Sequence, residues 1–447
     1  MRVTFVHSPN GLQKFSAAVA AISAWIKQFG HTTKLILVET DTTEEEFKQQ
    51  VRDTEPDIVA CTTMSFQWEM LQELAHWVKE VRADLPIIVG GYHPTGSPDL
   101  AMTCNDVDYI CRGEGEEAMQ ELLEALEGGN LEAIKTIGNI WSRDPEDPTI
   151  IHKNEIRRLI PDLDVLPDWD RELFNMDELL AASNKASLYH GKFHLPAYTG
   201  RGCPYHCTYC CNSELMGLYK GKGSFVRRRT PKVAIDELAR CKERYHVDFI
   251  EFWDEEFDMP EAQMRDFAED YKKRVGLPFA IFKTASLGRL ENMQLLKDMG
   301  CTRILVGVEC GDEEYRRKVL KKPISNDEFI AFFDAVHEMG FETISSNMIN
   351  MPGETSDHVQ ATIELNRRLR PTALFFFRFV PFPGTELYDT AKEEGFLPDW
   401  QDYWYESKKA GLELPTLPKD ELLRLEESFR ELQAECEMGN HARSFHS

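Results

Sequence analysis

The sequence predicts an α/β protein: an N-terminal doubly wound, Rossmann-like domain, a partial TIM-like barrel of six β/α units, and a small helical C-terminal segment. Three observations predict it. The chain has 447 residues, more than one ordinary domain holds. Two stretches alternate short, nearly continuous apolar runs with amphipathic helical patterns, as strands buried on both faces do. Between them a Pro- and Asp-rich stretch loses the rhythm. The expected boundaries are 1–138, a linker at 139–190, a barrel at 191–390 and a helical cap at 391–447.

In the first region the strand-like runs are 3–6, 35–38, 57–61, 87–91 and 109–111. Helical patterns follow at 15–29, 43–52, 69–81 and 116–126, the first carrying Val19, Ile22, Trp25, Ile26 and Phe29 and stopping at Gly30. Ligands of such sheets lie beyond the carboxyl ends of the strands. Those ends carry Ser8-Pro9-Asn10, Thr62-Thr63-Met64-Ser65, Gly90-Gly91-Tyr92-His93-Pro94-Thr95 and Arg112-Gly113-Glu114-Gly115-Glu116. In the second region the runs are 196–199, 249–253, 279–283, 303–308, 343–347 and 373–379, with helices such as 233–244 and 263–275 between them. Chemistry in a β/α barrel sits at the strand carboxyl face. An aromatic patch (Trp400, Tyr403, Trp404, Tyr405) and a charged amphipathic helix at 419–437 end the chain.

Composition narrows the function. Apolar residues make up 42% and charged residues 28%, the balance of a soluble protein, and no apolar run is long enough to cross a bilayer. The N-terminus has no apolar leader segment, so a cytoplasmic location is expected. A net charge of −25 argues against nucleic acid. The one dense basic run, Arg227-Arg228-Arg229, reads as a solvated turn or an anchor for one anion. The 11 cysteines suit no disulfide framework in a reducing compartment.

Three of them sit close together after the first barrel strand, in Thr199-Gly-Arg-Gly-Cys203-Pro-Tyr-His-Cys207-Thr-Tyr-Cys210-Cys211. Three thiolates on one loop hold one edge of a cubane cluster and leave a fourth iron open. Zinc is the alternative, but structural zinc wants four protein ligands, and no second cysteine or histidine pair completes them.

Cys-x3-Cys-x2-Cys after the first strand of a β/α barrel resembles the signature of radical S-adenosylmethionine (SAM) enzymes, and Tyr209 precedes the last cysteine as it does there. The resemblance implies a [4Fe–4S] cluster on Cys203, Cys207 and Cys210. Further along, Glu251-Phe-Trp-Asp254-Glu255-Glu256 is similar to the family's acidic motif, whose carboxylate or backbone receives the SAM amino group. Gly307-Val-Glu309-Cys-Gly311 is similar to the motif whose Glu contacts the ribose hydroxyls, with Cys310 where a Ser is usual. Asn347-Met-Ile-Asn-Met-Pro352-Gly353-Glu354-Thr355 and Phe382-Pro383-Gly384-Thr385 match the elements after strands five and six. The implied SAM contacts are Tyr209, Asp254, Glu255, Glu309 and Asn347. The implied chemistry is one-electron reductive cleavage of SAM to methionine and a 5′-deoxyadenosyl radical, fed by an electron donor such as flavodoxin or ferredoxin.

The N-terminal motifs resemble those of radical SAM proteins with a cobalamin-binding domain, and this likeness together with the barrel's covers residues 1 to about 390. It implies cobalamin as a further cofactor, with Ser8, Thr62, Ser65, Gly90, Gly91, His93, Thr95, Gly113 and Glu114 as the candidate contacts. No Asp-x-His-x-x-Gly loop occurs, so the implied cobalamin lacks that loop's histidine on cobalt. The other reading of this domain is a vestigial layer that binds nothing. The leading function is cobalamin-dependent methylation of an unactivated centre on a small molecule. The alternatives are a cobalamin-associated cyclisation, oxidation or rearrangement, and a cobalamin sensor with a degenerate barrel. Lys283, Ser286 and Arg378 are the substrate-side candidates at the barrel mouth, joined by the aromatic patch, whose residues also read as packing.

Overall fold

Five of the apolar runs expected in the first region form parallel strands of one sheet. They are β1 (Arg2–His7), β2 (Thr32–Leu37), β3 (Ile58–Thr62), β4 (Ile87–Gly90) and β5 (Tyr109–Cys111), paired in the order β2-β1-β3-β4-β5. Helices α1 (Ala17–Lys27), α2 (Glu44–Thr54), α3 (Trp68–Val81) and α4 (Glu116–Glu127) intervene. Local chemistry starts them. Ser16 caps α1, and a reciprocal Thr43–Glu46 capping box opens α2 with three glutamates in its first turn. Phe47, Val51, Trp68, Leu71, Leu74 and Val78 pack on Val59, Ile87 and Val89 as one apolar core.

The computed structural model describes residues 1–9, 14–184, 194–285, 290–397 and 411–444. They belong to two units. The first comprises residues 1–183 with two short returns of the chain, 214–224 and 382–384. The second comprises 184–213, 225–381 and 385–447. Among the described residues no helix is long and apolar enough to cross a membrane.

The expected linker at 139–190 is corrected by this division. Through residue 183 it is part of the first unit. Strands β6 (Ile140–Arg143) and β7 (Ile151–Lys153) extend the sheet antiparallel from β5, and Ile140, Trp141, Ile156, Leu159, Leu163 and Phe174 are buried. Strands of four and three residues are too short to show an alternation, which hid them in the sequence.

The second unit carries six strands in a wholly parallel sheet, beside an antiparallel pair of two-residue strands, Gly200–Arg201 with Arg227–Arg228. In order across the sheet the six are β8 (His194–Ala197), β9 (Phe249–Phe252), β10 (Phe279–Phe282), β11 (Cys301–Glu309), β12 (Glu342–Ile349) and β13 (Ala373–Arg378). The main helices are α5 (Pro231–Tyr245), α6 (Glu261–Arg274), α7 (Leu290–Met299), α8 (Asn326–Glu338), α9 (Ser356–Leu369), α10 (Glu386–Glu393) and α11 (Lys419–Ser444). Register decides which residues face inward. Pro196, Glu251, Ala280 and Arg303 share one face, as do Gly307, Ser346 and Phe375 further along. The opposite face meets the helices: Phe252 and Phe279 pack on Phe267 and Tyr271 of α6, and Phe376 stacks on Phe429 of α11 with centroids 4.8 Å apart. The amphipathic end of the chain is thus part of the same core, through Leu425, Phe429 and Leu432.

After β12 the chain turns through Asn350 at φ 66°, and Glu354 closes the turn. One Glu354 oxygen accepts the Met351 N–H at 3.1 Å, while the other is buried with no hydrogen-bond partner among the described residues. Burial pushes this carboxyl up from 4.5 to about 8.

Two outcomes follow from this packing. Phe429→Ala removes the α11 stack and leaves a cavity, so urea unfolding should show a loss of about 3 kcal/mol. A carboxyl raised above its unfolded value holds its proton more tightly in the folded chain. Its contribution is therefore complete below about pH 4.5 and is lost as pH rises towards 8. Glu354→Gln keeps an acceptor and removes the titration. Relative to wild type, the variant should gain stability across that window by at most about 1.4 kcal/mol per pH unit, read from urea curves at several pH values.

Candidate functional site

At the carboxyl edge of the second unit's sheet, β8 runs into the loop that carries Cys203, Cys207 and Cys210, all half-buried. The loop is tied down at both ends. The Thr199 N–H donates to Asp254 Oδ2 at 2.9 Å and its hydroxyl to Oδ1 at 2.6 Å; Arg228 Nη1 reaches Oδ1 at 3.4 Å. Gly202 sits at φ 91°, where a Cβ would lie 2.3 Å from the Phe225 carbonyl oxygen, and its N–H donates to the Glu255 carboxylate. Further on, the Thr208 N–H and hydroxyl donate to the carbonyls of Leu320 and Val319, and the Ser213 hydroxyl donates to that of Cys207. Burial pushes the Cys203 thiol up to about 12, whereas the hydrogen bond from Cys211 draws Cys210 down. Among the described residues no three His, Cys, Asp or Glu groups converge on a single metal ion. The trio fits a polynuclear cluster by its three soft donors spread along one anchored loop.

Glu309 ends β11 with φ 68°, in the left-handed region. Its Oε1 accepts the Tyr209 hydroxyl at 3.2 Å and the Lys322 ammonium at 3.1 Å. Gly307 makes the room: a Cβ there would lie 2.1 Å from Glu309 Oε1 and 2.8 Å from Lys322 Nζ. Lys322 escaped the sequence reading, since nothing in a lysine between two helices marks it.

Several residues expected around SAM or substrate are engaged elsewhere. The Asp254 carboxylate is occupied by Thr199 and Arg228, which leaves only its backbone for a ligand; Glu255 is exposed. Asn347 lies on the helix side of β12, fully buried. Its amide donates to Ser345 Oγ and the Phe375 carbonyl, each at 3.0 Å, and accepts from Asn366 at 2.8 Å. Arg378, one position out of step with Phe375 and Phe377, forms a bidentate pair with Glu426 on α11. Lys283 is buried in an ion pair with Glu256. The arginine run is structural: Arg227 is buried, Arg228 also reaches the Glu256 carbonyl at 3.0 Å, and Arg229 pairs with Glu237. Ser286, Asn10 and the patch at 400–405 lie outside the described residues. On the inward face the carboxyl ends instead carry Trp253, Phe282, Met348, Phe375 and Phe377, the last 57% exposed.

The first unit has its own constellation. Strand order reverses between β1 and β3, where a crevice opens in sheets of this kind. His7 closes β1 opposite Thr62 of β3, and the Ser8 carbonyl accepts from Gln67 at 2.8 Å. Gly91 sits at φ 96°, and a Cβ there would lie 2.5 Å from the Thr63 carbonyl oxygen. His93 is buried, not projected from a turn: it stacks on Trp68 at 4.4 Å and meets Ser65 Oγ through Nδ1 at 3.2 Å. Thr95 joins two loops, donating to the Gly91 carbonyl at 2.8 Å and accepting the Gly113 N–H at 3.0 Å. The Glu114 N–H donates to the Tyr219 hydroxyl at 2.7 Å, and a Cβ on Gly113 would collide with that hydroxyl. His7 was missed by sequence reasoning, though its place beside Ser8 at a strand end was a usable signal.

The donor chemistry of both places fits the cofactors the motifs implied. One holds an anchored thiol trio beside a carboxylate. The other holds buried ring nitrogens with no partner among the described residues, beside a backbone cradle kept open by glycine. Comparison with known proteins agrees. Residues 198–365 match the model of the radical SAM superfamily, and residues 12–123 match that of the B12 binding domain. An uncharacterized methyltransferase of Pyrococcus horikoshii is 26% identical over 380 residues, 83% of this chain and 78% of that protein. The anaerobic magnesium-protoporphyrin IX monomethyl ester cyclase of Rubrivivax gelatinosus is 23% identical over 424 residues, 90% of this chain and 72% of that protein. The radical SAM methyltransferase TsrM of Kitasatospora setae, solved with cobalamin and a [4Fe–4S] cluster, shares the fold. Its TM-score is 0.69 at 17% identity, covering 88% of this chain and 78% of that one. The chain belongs to the radical SAM enzymes that carry an N-terminal B12-binding domain.

Proposed function

We propose that the protein is a cobalamin-dependent methyltransferase that acts on a small molecule, with Cys203, Cys207 and Cys210 holding its [4Fe–4S] cluster. The observation that carries the reading is the anchored cysteine loop beside Glu309, in a chain whose other unit is a B12-binding sheet. When bound, the cluster supplies the electron that cleaves SAM, and cobalamin supplies a carrier for the methyl group.

The chain's own residues bind, orient and exclude water. Asp254 and the Glu255–Gly202 contact hold the loop so that its thiols keep their spacing. Tyr209 and Lys322 fix one oxygen of Glu309 and leave the other to accept from the ribose hydroxyls of SAM. The inward-facing Trp253, Phe282, Met348, Phe375 and Phe377 line a dry, carbon-rich wall for the substrate. An electron donor such as flavodoxin or ferredoxin serves the cluster. The cyclase among the relatives supports a second reading, a radical reaction without net methyl transfer.

Anaerobic reconstitution should give about four irons per chain and a broad band near ~400 nm, and Cys203→Ala should lose both. Incubation with SAM, reductant and hydroxocobalamin should yield S-adenosylhomocysteine together with 5′-deoxyadenosine. 5′-Deoxyadenosine alone would favour the second reading. Glu309→Gln should weaken binding of labelled SAM to the reconstituted chain about tenfold or more, measured by equilibrium dialysis, because a charge-assisted acceptor becomes a neutral one.

A further inference from the structure

We propose that His7 is a cofactor-contact residue of the first unit: its imidazole hydrogen-bonds the polar periphery of a bound corrinoid at the strand-order reversal. The proposal rests on the reading of this unit as one that binds cobalamin. His7 is the last residue of β1, in register with Leu37 of β2 and Thr62 of β3. Both of its ring nitrogens are shut off from solvent and have no hydrogen-bond partner among the described residues. Each buried polar atom left unpaired costs about 1–3 kcal/mol, and buried polar side chains are nearly always satisfied. Two such atoms on one ring mark a group kept for something that is added.

The surroundings point the same way. His93, in the short helical turn after β4, has its own buried Nε2 with no partner among the described residues, while Trp68 and Ser65 hold that ring rigid. Gly91 keeps the backbone of the β4 turn against Thr63, where any side chain would collide. Burial draws His7 down from 6.5 to about 4, so the ring is neutral and offers one donor and one acceptor. The carboxamides around a corrin ring present that same complementary pair.

Coordination of cobalt by His7 is the competing role for a neutral imidazole. A metal-bound histidine, however, normally has its second nitrogen oriented by a carboxylate or a carbonyl. His7 has no such orienting partner among the described residues. The geometry therefore favours two hydrogen bonds to the cofactor's edge over one bond to its metal.

The test uses the full chain and hydroxocobalamin. His7→Phe should weaken hydroxocobalamin binding at least tenfold in equilibrium dialysis. The cofactor-free variant should melt at the wild-type temperature or above, because two unsatisfied buried atoms are gone. His7→Asn, which keeps a donor and an acceptor, should bind within about threefold of wild type. In the cob(II)alamin form, 15N-labelling of histidine should leave the electron paramagnetic resonance splitting unchanged. Wild-type affinity in His7→Phe overturns the assignment, as does a lowered melting temperature of the cofactor-free variant, which marks a structural role. A label-dependent splitting overturns it in favour of a cobalt ligand. A wild-type chain that takes up no hydroxocobalamin overturns the cobalamin reading itself, and the assignment with it.

Discussion

The Asp254 carboxylate beneath the cysteine loop is the constraint on which the second unit's chemistry depends. It is almost completely buried, and burial raises it to about 6 in spite of the groups that favour its charge. A carboxylate in such a place is tolerated only when its lone pairs are used. Here the Thr199 N–H, the Thr199 hydroxyl and Arg228 use them, and each comes from the start of the loop or from the two-residue strand paired with it. The end of β9 is thereby fastened to the end of β8. Three thiols on a free loop sample many spacings; three on a loop pinned at Thr199, Gly202 and Thr208 sample few.

Glu309 shows a second price of the same order. A non-glycine residue in the left-handed region costs of order 1 kcal/mol, and it persists where its surroundings fix it. The strained backbone ends β11 and turns the carboxylate back over Gly307, where Lys322 and Tyr209 meet it. Glycine at 307 and the strain at 309 are two halves of one device. Adding a side chain to the first would drive the carboxylate from the position that the second creates.

How much of this was legible in the sequence follows from the range of the interactions involved. The parallel strands were, since a strand covered on both faces must be apolar throughout and such runs stand out. The cysteine loop was, since its chemistry needs its ligands close together in the chain. The orientations of Asn347, Arg378 and Lys283 were not. Arg378 ends β13, Lys283 lies just past β10 and Asn347 lies within β12, and in each case one step of register sends the side chain away from the inward face. Contacts between distant segments were equally silent: Lys322 meets Glu309 from a turn between helices, and the β6–β7 pair is too short to announce itself.

The same alternation shapes what the inward face of the second unit can recognise. Its polar neighbours of opposite parity are tied up elsewhere: Asn347 with Asn366 and Arg378 with Glu426 on the helices, and Lys283 with Glu256 in the loop after β9. What faces inward near the carboxyl ends is largely aromatic and thioether surface, with Glu309 and Ser346 as polar handles. A wall of that kind binds by area and shape, and it discriminates weakly between substrates that differ by a methylene. It also leaves few groups to hold water near a reactive carbon. Sending Asn347 and Arg378 outward thus serves two ends at once: it knits α9 and α11 to the sheet, and it keeps polar groups away from the inward face near the ends of β12 and β13.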